Sequence, residues 1–364
     1  MLAKNMTEPM TIQNAASVEE TYTLMKARLA RIVPDFELVH KAELAFKINQ
    51  LKRQKNAVIL AHNYMEPALY HTVSDYVGDS LELARISAES QADIIIFCGV
   101  RFMAETAKIL NPTRTVLLPA EKAGCSLAAS LTGHDVRLLK ERFPGVPVVS
   151  YVNTYADVKA ETDICCTSSN AAKVVKHLMD KGHKKVIFLP DEYLAKNVAA
   201  EVGVTILFPS RPAPQKSDDP SNFERVILGW NGRCEVHEQF TVEDIENVRK
   251  QFSDVVILAH PECSPEVVQA SDFSGSTRQM IDYVRNVTAP RYLLLTECSM
   301  GDNIIAENPH REMLRLCSVR CPHMNLITLE DTLAALEHNR YEITLPDDIM
   351  NRARASLDHM LEIR

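Results

Sequence analysis

Short runs of β-branched and aliphatic residues recur along this chain, and longer helical patterns separate them. The runs are AVILAH, ADIIIFCG, TVLLPA, VPVVSYVN, KKVIFLP, RVILGW, DVVILAH, RYLLLTE and NLITLE. Apolar runs that alternate with helical stretches are typical of parallel strands joined by crossover helices. The sequence therefore predicts an α/β protein built on parallel sheets.

The same order of features occurs three times, and the string VILAH itself appears at 58–62 and 256–260. Each copy has a strand that ends in a polar pair spaced i, i+2, then a Ser or Thr at a helix start, and finally a cysteine. The pairs are His62 with Tyr64, Tyr151 with Asn153, and His260 with Glu262; the helix-start residues are Ser80, Ser168 and Ser276 with Thr277; the cysteines are Cys125, Cys234 and Cys321. Chance reuse of a common string is the alternative, but three ordered features at near-constant offsets favour triplication.

The repeats predict three similar α/β units around a pseudo-threefold axis. Their expected limits are 45–130 for the first unit, joined by a C-terminal helix at 335–364, then 131–238 for the second and 239–334 for the third. Residues 1–44 are expected to form a helical N-terminal extension. The second copy is longer because it contains residues 208–224, which are rich in Pro, Ser and Asp and are expected to form a loop insertion.

Charge and hydropathy narrow the class of partner. The net charge is −8 and there is no block of Lys and Arg, which argues against nucleic acid as a partner. No apolar run approaches the roughly 18 residues of a membrane span, so no membrane partner is expected. The N-terminus resembles neither a secretory signal nor a transit peptide. We expect a cytoplasmic protein that acts on small molecules.

The repeated polar residues point to chemistry at the carboxyl ends of the strands, where α/β sheets bind ligands. Helix N-termini capped by Ser or Thr suit phosphate or carboxylate groups, so three of them suggest a polyanionic substrate, although any one could be an ordinary cap. Glu262, His62, Tyr64 and His260 are candidate proton donors and acceptors, although a histidine at a strand end is more often structural.

One cysteine in each repeat suggests a metal centre, because thiolates that converge in a reducing compartment usually bind metal. Three thiolates leave one coordination position open. A zinc site is one reading, and an iron–sulfur cubane with one open iron is the other. The cysteines at 98, 165 and 166 lie in apolar runs and are expected to be buried small hydrophobes. His237 and His323, near two of the proposed ligands, are expected to be structural.

The motifs resemble those of the quinolinate synthase family over about residues 45 to 340. They are AHNY, VGDSLELA, FMAETAKIL, YVNT, CTSSNA, HPEC, GSTRQM, and CPHM followed by TLEDTL. The resemblance implies three three-layer α/β/α sandwiches around a central 4Fe-4S cluster. Cys125, Cys234 and Cys321 would be its ligands by motif position, one from each sandwich, and Cys263 of HPEC would not be a ligand.

The resemblance also implies the reaction and the residue roles. The family condenses iminoaspartate with dihydroxyacetone phosphate to quinolinate, with loss of phosphate and two waters, for NAD biosynthesis, and L-aspartate oxidase is the expected supplier of iminoaspartate. Glu262 would be the leading acid/base, Tyr64 would orient the substrate, and His62 and His260 would lie near the reacting atoms. The residues that would bind carboxylate or phosphate are Ser80, Tyr151, Asn153, Ser168, Ser276 and Thr277.

This chain departs from some family members near its last ligand. They carry C-x-x-C there, whereas here the spacing is Cys317-x3-Cys321, which argues against a redox switch. The N-terminal 40 residues and the 208–224 insertion are expected to be peripheral. Two other functions remain open: another hydro-lyase with an open cluster, and a non-catalytic iron–sulfur sensor or electron carrier. The polar pairs and helix caps argue against the carrier, which needs no substrate pocket.

Overall fold

The computed structural model describes residues 11–209, 224–316 and 318–363. Most of the predicted insertion at 208–224 lies outside the described residues. Cys317 and the first ten residues of the predicted extension also lie outside them.

Parallel sheets with helices between their strands form the framework, as the alternating pattern predicted. The strands are β1 Ala57–His62, β2 Tyr76–Gly78, β3 Ile94–Cys98, β4 Thr115–Leu117, β5 Val148–Tyr151, β6 Ile164–Cys166, β7 Lys185–Leu189, β8 Thr205–Leu207, β9 Val226–Gly229, β10 Val255–Ala259, β11 Phe273–Ser274, β12 Arg291–Leu295 and β13 Met313–Leu314. The first sheet has the order β2-β1-β3-β4 and the second β6-β5-β7-β9-β8. The third sheet contains β11-β10-β12 in that order. In all three, the first strand of the repeat lies between the second and the third.

Helices follow almost every strand. They are α1 Val18–Leu29, α2 Asp35–Gln54, α3 Pro67–Thr72, α4 Ser80–Glu89, α5 Arg101–Leu110, α6 Ser126–Ala129, α7 Gly133–Arg142, α8 Ala156–Lys159, α9 Ala171–Asp180, α10 Glu192–Val202, α11 Val242–Gln251, α12 Pro265–Ala270, α13 Thr277–Asn286, α14 Cys298–Glu307, α15 Leu329–His338 and α16 Asp347–Glu362. Short 3₁₀ helices span Thr11–Asn14, His237–Gln239 and Met324–Leu326. Among the described residues, no helix is long and apolar enough to span a bilayer.

The chain divides into two compact units, whose limits differ from those of the three repeats. The first contains the described residues up to Ala123 together with Glu297–Thr344, and the second contains Gly124–Thr296 with the described part of Leu345–Arg364. The core of the second unit is typical: Val148, Ile187 and Val226, from three neighbouring strands, pack with Val136 of α7 and are all almost fully buried. Each such side chain contributes roughly 1.5–3 kcal/mol by leaving water.

A repeated aspartate confirms the triplication at the level of hydrogen bonds. In each copy an Asp just before the second strand accepts a hydrogen bond from a backbone N–H of the first strand, and donates its own N–H to the carbonyl of that same residue. The pairs are Asp75 with Ile59, Asp163 with Val148, and Asp272 with Ile257, with carboxylate–N distances of 2.8, 2.7 and 2.8 Å. The carboxylate thus satisfies a backbone donor on the first strand.

Two expectations about the fold were wrong. NLITLE is not a strand: Met324–Leu326 is a 3₁₀ helix, and Thr328 is the N-cap of α15. The segment 335–364 does not join the first unit as a whole. Its first residues end α15, but α16 packs on α8 and β6, where Ser356 Oγ lies 3.4 Å from the Cys165 sulfur and donates to the Lys159 carbonyl at 3.1 Å. An amphipathic helix pattern does not state which sheet its apolar face covers.

Candidate active and metal site

Glu262 lies at the centre of a buried polar network in the second unit. Its carboxylate accepts a hydrogen bond from the Tyr151 hydroxyl, and its Oε2 lies 2.8 Å from Nδ1 of His237. The side chains of Glu262 and His237 are almost completely buried. Burial by itself would raise the pKa of Glu262, but electrostatic interaction with the imidazoles of His237 and His260, with the hydrogen bonds from His237 and Tyr151, lowers it far below its usual range. Glu262 is therefore held as a carboxylate.

His260, at the end of β10, is oriented on both sides of its ring. Its Nδ1 accepts a hydrogen bond from the backbone N–H of Glu262 at 3.3 Å, so in the neutral ring the proton is on Nε2. That Nε2 lies 3.4 Å from Ser168 Oγ. The ring also stacks on His237, with 4.5 Å between centroids. His260 thus presents an N–H donor toward Ser168.

His237, expected to be structural, is instead the link between the carboxylate and a predicted ligand. Its Nδ1 lies 3.2 Å from the sulfur of Cys234, and its Nε2 lies 2.9 Å from Thr296 Oγ1. The donor atoms of Cys234, His237 and Glu262 all lie within 4.8 Å of one another, so these three side chains could also hold a single metal ion. The position of His237 three residues after Cys234 was its only signal in the sequence.

The segments that carry Cys125 and Cys234 lie against each other. The Ser126 hydroxyl donates to the carbonyl of Arg233 at 3.4 Å and accepts from the backbone N–H of Glu235 at 3.3 Å, so it bridges both neighbours of Cys234. Burial and the negative charges of Glu262 and Cys125 raise the pKa of the Cys234 thiol. A bound cation would neutralise the thiolates of Cys125 and Cys234. These two sulfur donors therefore fit a metal ion or an iron–sulfur cluster.

The loop before Cys234 is anchored on the start of α10. Gly232 donates its N–H to the carbonyl of Pro190 at 3.0 Å, and its own carbonyl accepts from the N–H of Glu192 at 2.7 Å. A Cβ at Gly232 would lie 2.6 Å from the Pro190 oxygen, so only glycine allows this approach. Arg233 also lies 3.2 Å from the buried carboxylate of Glu192.

All three predicted ligands begin the same local structure. The carbonyl of each cysteine accepts a hydrogen bond from the residue four positions later: Ala129, Glu238 and Asn325. A threonine seven residues after the cysteine then caps the next helix and pairs with an aspartate three residues further on: Thr132 with Asp135, Thr241 with Asp244, and Thr328 with Asp331. The pattern C-x6-T-x2-D occurs three times in the sequence, and it was not among the predicted repeat features.

The first unit carries the other strand-end residues. Tyr64 lies in the turn after His62, their rings meet edge to face at 4.5 Å, and the N–H of Tyr64 donates to His62 Nδ1 at 3.3 Å. Cys321, in the same unit, lies near a buried carboxylate. Glu297 caps α14, and burial raises its pKa to about 7 despite a hydrogen bond from the backbone of Ser299.

Of the predicted helix-start residues, Ser80, Ser276 and Thr277 lie at helix starts, but only Ser276 is a cap. Ser276 caps α13 in a reciprocal pair with Gln279, and Thr277 is the first residue of that helix. Ser80 is instead the first residue of α4, whose cap is Asp79. Ser168 precedes the cap of α9, Asn170, by two residues. Asp79 replaces serine as the cap of α4 because its carboxylate accepts from the N–H groups of Leu81 and Glu82 at 3.1 and 3.0 Å. The Asn170 side chain makes no bond to its own helix, and its Oδ1 accepts from the N–H of Thr167 at 2.7 Å.

The remaining candidates divide between the site and the core. Oδ1 of Asn153 is buried and accepts no hydrogen bond from any residue described here, which marks it as available to a ligand. Cys263 is buried, with its thiol donating to the carbonyl of Leu295 at 3.5 Å, and burial raises its pKa, which suits a core residue. The expectation of buried cysteines at 98, 165 and 166 is confirmed.

Comparison with known proteins agrees with these features. The family model described as "Quinolinate synthetase A protein" matches residues 46–362. The chain is 49% identical to quinolinate synthase 2 of Mesorhizobium japonicum, over 96% of this chain and 100% of that protein. It is 50% identical to the quinolinate synthase of Agrobacterium fabrum, over 92% of this chain and 90% of that protein. A quinolinate synthase of Xylella fastidiosa is 51% identical over 87% of this chain and 86% of its own length. These relatives are enzymes, and the match covers nearly the whole chain, which therefore belongs to the quinolinate synthetase A family.

Proposed function

We propose that this protein is a quinolinate synthase that condenses iminoaspartate with dihydroxyacetone phosphate, releasing phosphate and two waters, in NAD biosynthesis. The observation that carries the proposal is the buried Glu262 carboxylate, which His237 and Tyr151 hold beside Cys234 in a chain of this family. A buried carboxylate next to a proposed cluster ligand is positioned for proton transfer during dehydration, because geometry is the first requirement for a general base.

Cys125, Cys234 and Cys321 would hold a 4Fe-4S cluster with one open iron. When bound, such a cluster supplies a Lewis acid that polarises a substrate oxygen. Support comes from the contact between the Cys125 and Cys234 segments and from the identical turn that follows each of the three cysteines. Convergence of Cys321 on the other two ligands is part of the proposal.

We assign the acid/base roles to residues at the strand ends. Glu262, as a carboxylate, would accept the proton lost during isomerisation and dehydration, while the Tyr151 hydroxyl holds its second oxygen in place. His260 would present its Nε2–H to a substrate oxygen from beside Ser168. Tyr64 would orient the substrate from the turn after His62.

The substrate carries carboxylate and phosphate groups, and the proposed binding residues offer donors to both. Ser276 and Thr277 lie at the N-terminus of α13, where backbone N–H groups and the helix dipole favour an anion. Ser80 lies at the start of α4, and its hydroxyl is proposed to contribute in the same way. Asn153 would bind through the amide whose oxygen is buried. His62, Tyr151 and Ser168 complete the set.

The cellular setting belongs to the same proposal. We infer a cytoplasmic enzyme that receives iminoaspartate from L-aspartate oxidase, because oxidation of the amine of aspartate yields this imine. The absence of a Lys/Arg-rich block supports small-molecule substrates over nucleic acid.

A second candidate rests on the convergence of the Cys234, His237 and Glu262 donor atoms, which would suit one zinc ion in a hydro-lyase. One anaerobic experiment separates the two candidates. The protein is reconstituted with iron and sulfide, or with zinc alone, and quinolinate formation from the two substrates is measured. We expect activity and visible absorption only after iron and sulfide, with equal amounts of both bound. Quinolinate formation with neither preparation, together with one zinc ion bound per chain, would favour the hydro-lyase.

A further inference from the structure

Two asparagines hold the turns that carry the proposed acid/base side chains. In the second unit, the Asn197 amide nitrogen donates to the carbonyl of Pro261 at 2.8 Å and to that of Cys263 at 3.0 Å. These are the residues on either side of Glu262. An amide nitrogen carries two protons, so one side chain makes both bonds and fixes the backbone before and after the carboxylate.

The first unit repeats this contact around Tyr64. The Asn303 amide nitrogen donates to the carbonyl of Asn63 at 3.2 Å and to that of Met65 at 2.9 Å. Asn197 and Asn303 are each the sixth residue of a helix, α10 and α14 respectively. The same double hydrogen bond therefore occurs independently in the two units, once around a glutamate and once around a tyrosine.

Histidine side chains hold the same turns from the other side. The N–H of Glu262 donates to His260 Nδ1, and the N–H of Tyr64 donates to His62 Nδ1, both at 3.3 Å. In each turn, the histidine accepts from the backbone N–H of the acid/base residue, and the asparagine donates to the carbonyls before and after it. Rotation of the turn, which would redirect the side chain, would break several hydrogen bonds at once.

The remaining helix and the remaining strand-end pair of the repeats differ from this arrangement. The sixth residue of α5 is Thr106, and its hydroxyl donates within its own helix to the carbonyl of Phe102 at 2.8 Å. The corresponding strand-end pair is Tyr151 and Asn153, and the Asn153 position is assigned to binding. An asparagine therefore holds the turn in the two copies whose turn presents a proton donor or acceptor.

We propose that Asn197 and Asn303 are positioning residues for the reaction, which aim the Glu262 carboxylate and the Tyr64 hydroxyl without touching the substrate. This inference rests on the proposed function, which gives Glu262 and Tyr64 their roles. It assigns a part in catalysis to two helix residues outside the strand-end motifs.

The first test compares Asn197→Ala with a matched control. Asn111→Ala also removes one amide that donates to two carbonyls, those of Ser87 at 2.8 Å and Ala107 at 3.0 Å, but near the end of α5. Reconstituted enzymes are compared by iron content, thermal unfolding, kcat and KM. We expect Asn197→Ala to lower kcat roughly 10- to 100-fold with KM little changed, because small misplacements of a reacting group carry losses of that size. Asn111→Ala should lower the melting temperature but keep kcat.

The second test places Asn197→Ala in the Glu262→Gln background. If Asn197 acts by aiming Glu262, the double variant should be no slower than Glu262→Gln alone. Additive losses of kcat would overturn the positioning inference but not the proposed function. An unchanged kcat in Asn197→Ala, with Glu262→Gln impaired, would have the same meaning. Full activity in Glu262→Gln would refute the proposed role of Glu262 and this inference with it.

Two further variants keep the test decisive if Asn197→Ala fails to fold. Asn197→Ser retains one donor and should give an intermediate loss of kcat; an unchanged kcat counts against the inference. Asn303→Ala, measured alone and with Tyr64→Phe, repeats the cycle in the first unit. There too, additive losses would contradict a positioning role.

Discussion

The imidazole Nδ1 of His237 lies 2.8 Å from Oε2 of Glu262, and neither side chain exposes more than 4% of its surface. A buried carboxylate is stable only with a compensating charge or hydrogen bonds, and here the Tyr151 hydroxyl completes the set. This pair therefore explains how the Glu262 carboxylate can stay ionised away from water.

Replacing Glu262 with glutamine should abolish most of the catalysis. The amide keeps the size of the side chain but cannot accept a proton, so we expect quinolinate formation to fall by about 10²- to 10⁴-fold. Steady-state kinetics of the reconstituted variant provide the measurement. Glu246→Gln, at an exposed position of α11, is the matched control and should keep full activity. A Glu262→Gln variant as fast as the wild type would exclude the acid/base role.

The cysteines should divide into two groups by their ability to hold the cluster. Alanine at Cys125, Cys234 or Cys321 should lower the iron and sulfide retained after anaerobic reconstitution, measured chemically and by visible absorption. Alanine at Cys98 should not, because burial raises the pKa of that thiol to about 12 and its sulfur lies 3.6 Å from Thr332 in the core. Normal cluster content in Cys234→Ala would be incompatible with the ligand assignment.

An alanine at Gly232 should disturb the Cys234 loop without removing any ligand. Its Cβ would lie 2.6 Å from both the Pro190 carbonyl and Ser130 Oγ, so the loop must move. We expect a destabilisation of about 1–3 kcal/mol, as for other overpacked sites, and a lower iron content.

Gly301→Ala is the contrasting control for that substitution. Its Cβ would meet only the Arg315 side chain, at 3.8 Å, inside helix α14. Alanine there should be neutral or stabilise the protein by roughly 0.5–1 kcal/mol. Denaturant unfolding measures the free energy of unfolding of both variants. Equal changes would show that the close approach at Gly232 does not affect stability.

His71 should make the protein less stable in mild acid. Burial, with the charge of Arg28, lowers its pKa from 6.5 to about 3. The unfolded chain therefore binds a proton below pH 6.5 that the folded protein does not bind until about pH 3. Above pH 6.5 the group contributes no pH dependence, and between these limits the free energy of unfolding should fall by about 1.4 kcal/mol per pH unit.

Unfolding curves of wild type and His71→Gln at several pH values test this. The decline between about pH 6 and pH 4 should be shallower in the variant by about the same 1.4 kcal/mol per unit. His338→Gln, an exposed histidine of α15, should retain the wild-type slope. Parallel curves for wild type and His71→Gln would contradict a suppressed protonation of His71.

Local patterns predicted the strands that form the centre of each sheet and failed for shorter pieces. β1, β5 and β10 are apolar runs whose pattern is visible within a few residues. NLITLE has a similar composition but becomes a 3₁₀ helix and a helix cap, because the capping bond from Asp331 to Thr328 competes with extended backbone. Two-residue strands such as β11 and β13 carry no detectable pattern.

The candidate site was predictable where the repeats marked it and otherwise not. Spacing singled out Glu262, His260 and Tyr151, and the structure brings these three together in one unit. Asn197 was not predictable, because its function depends on two hydrogen bonds to residues more than 60 positions away. The role of His237 likewise follows from its contacts with Glu262 and Thr296, which sequence spacing does not encode.

The sequence by itself determined the class of fold, the threefold repetition and the residue types at the strand ends, because each of these depends on patterns local to the chain. Only the tertiary structure decided which carboxylate is ionised, which histidine supports it, which side chain caps each helix and which sheet α16 covers. These outcomes depend on burial and on partners distant along the chain, and a pKa or a packing face exists only once those partners are in place.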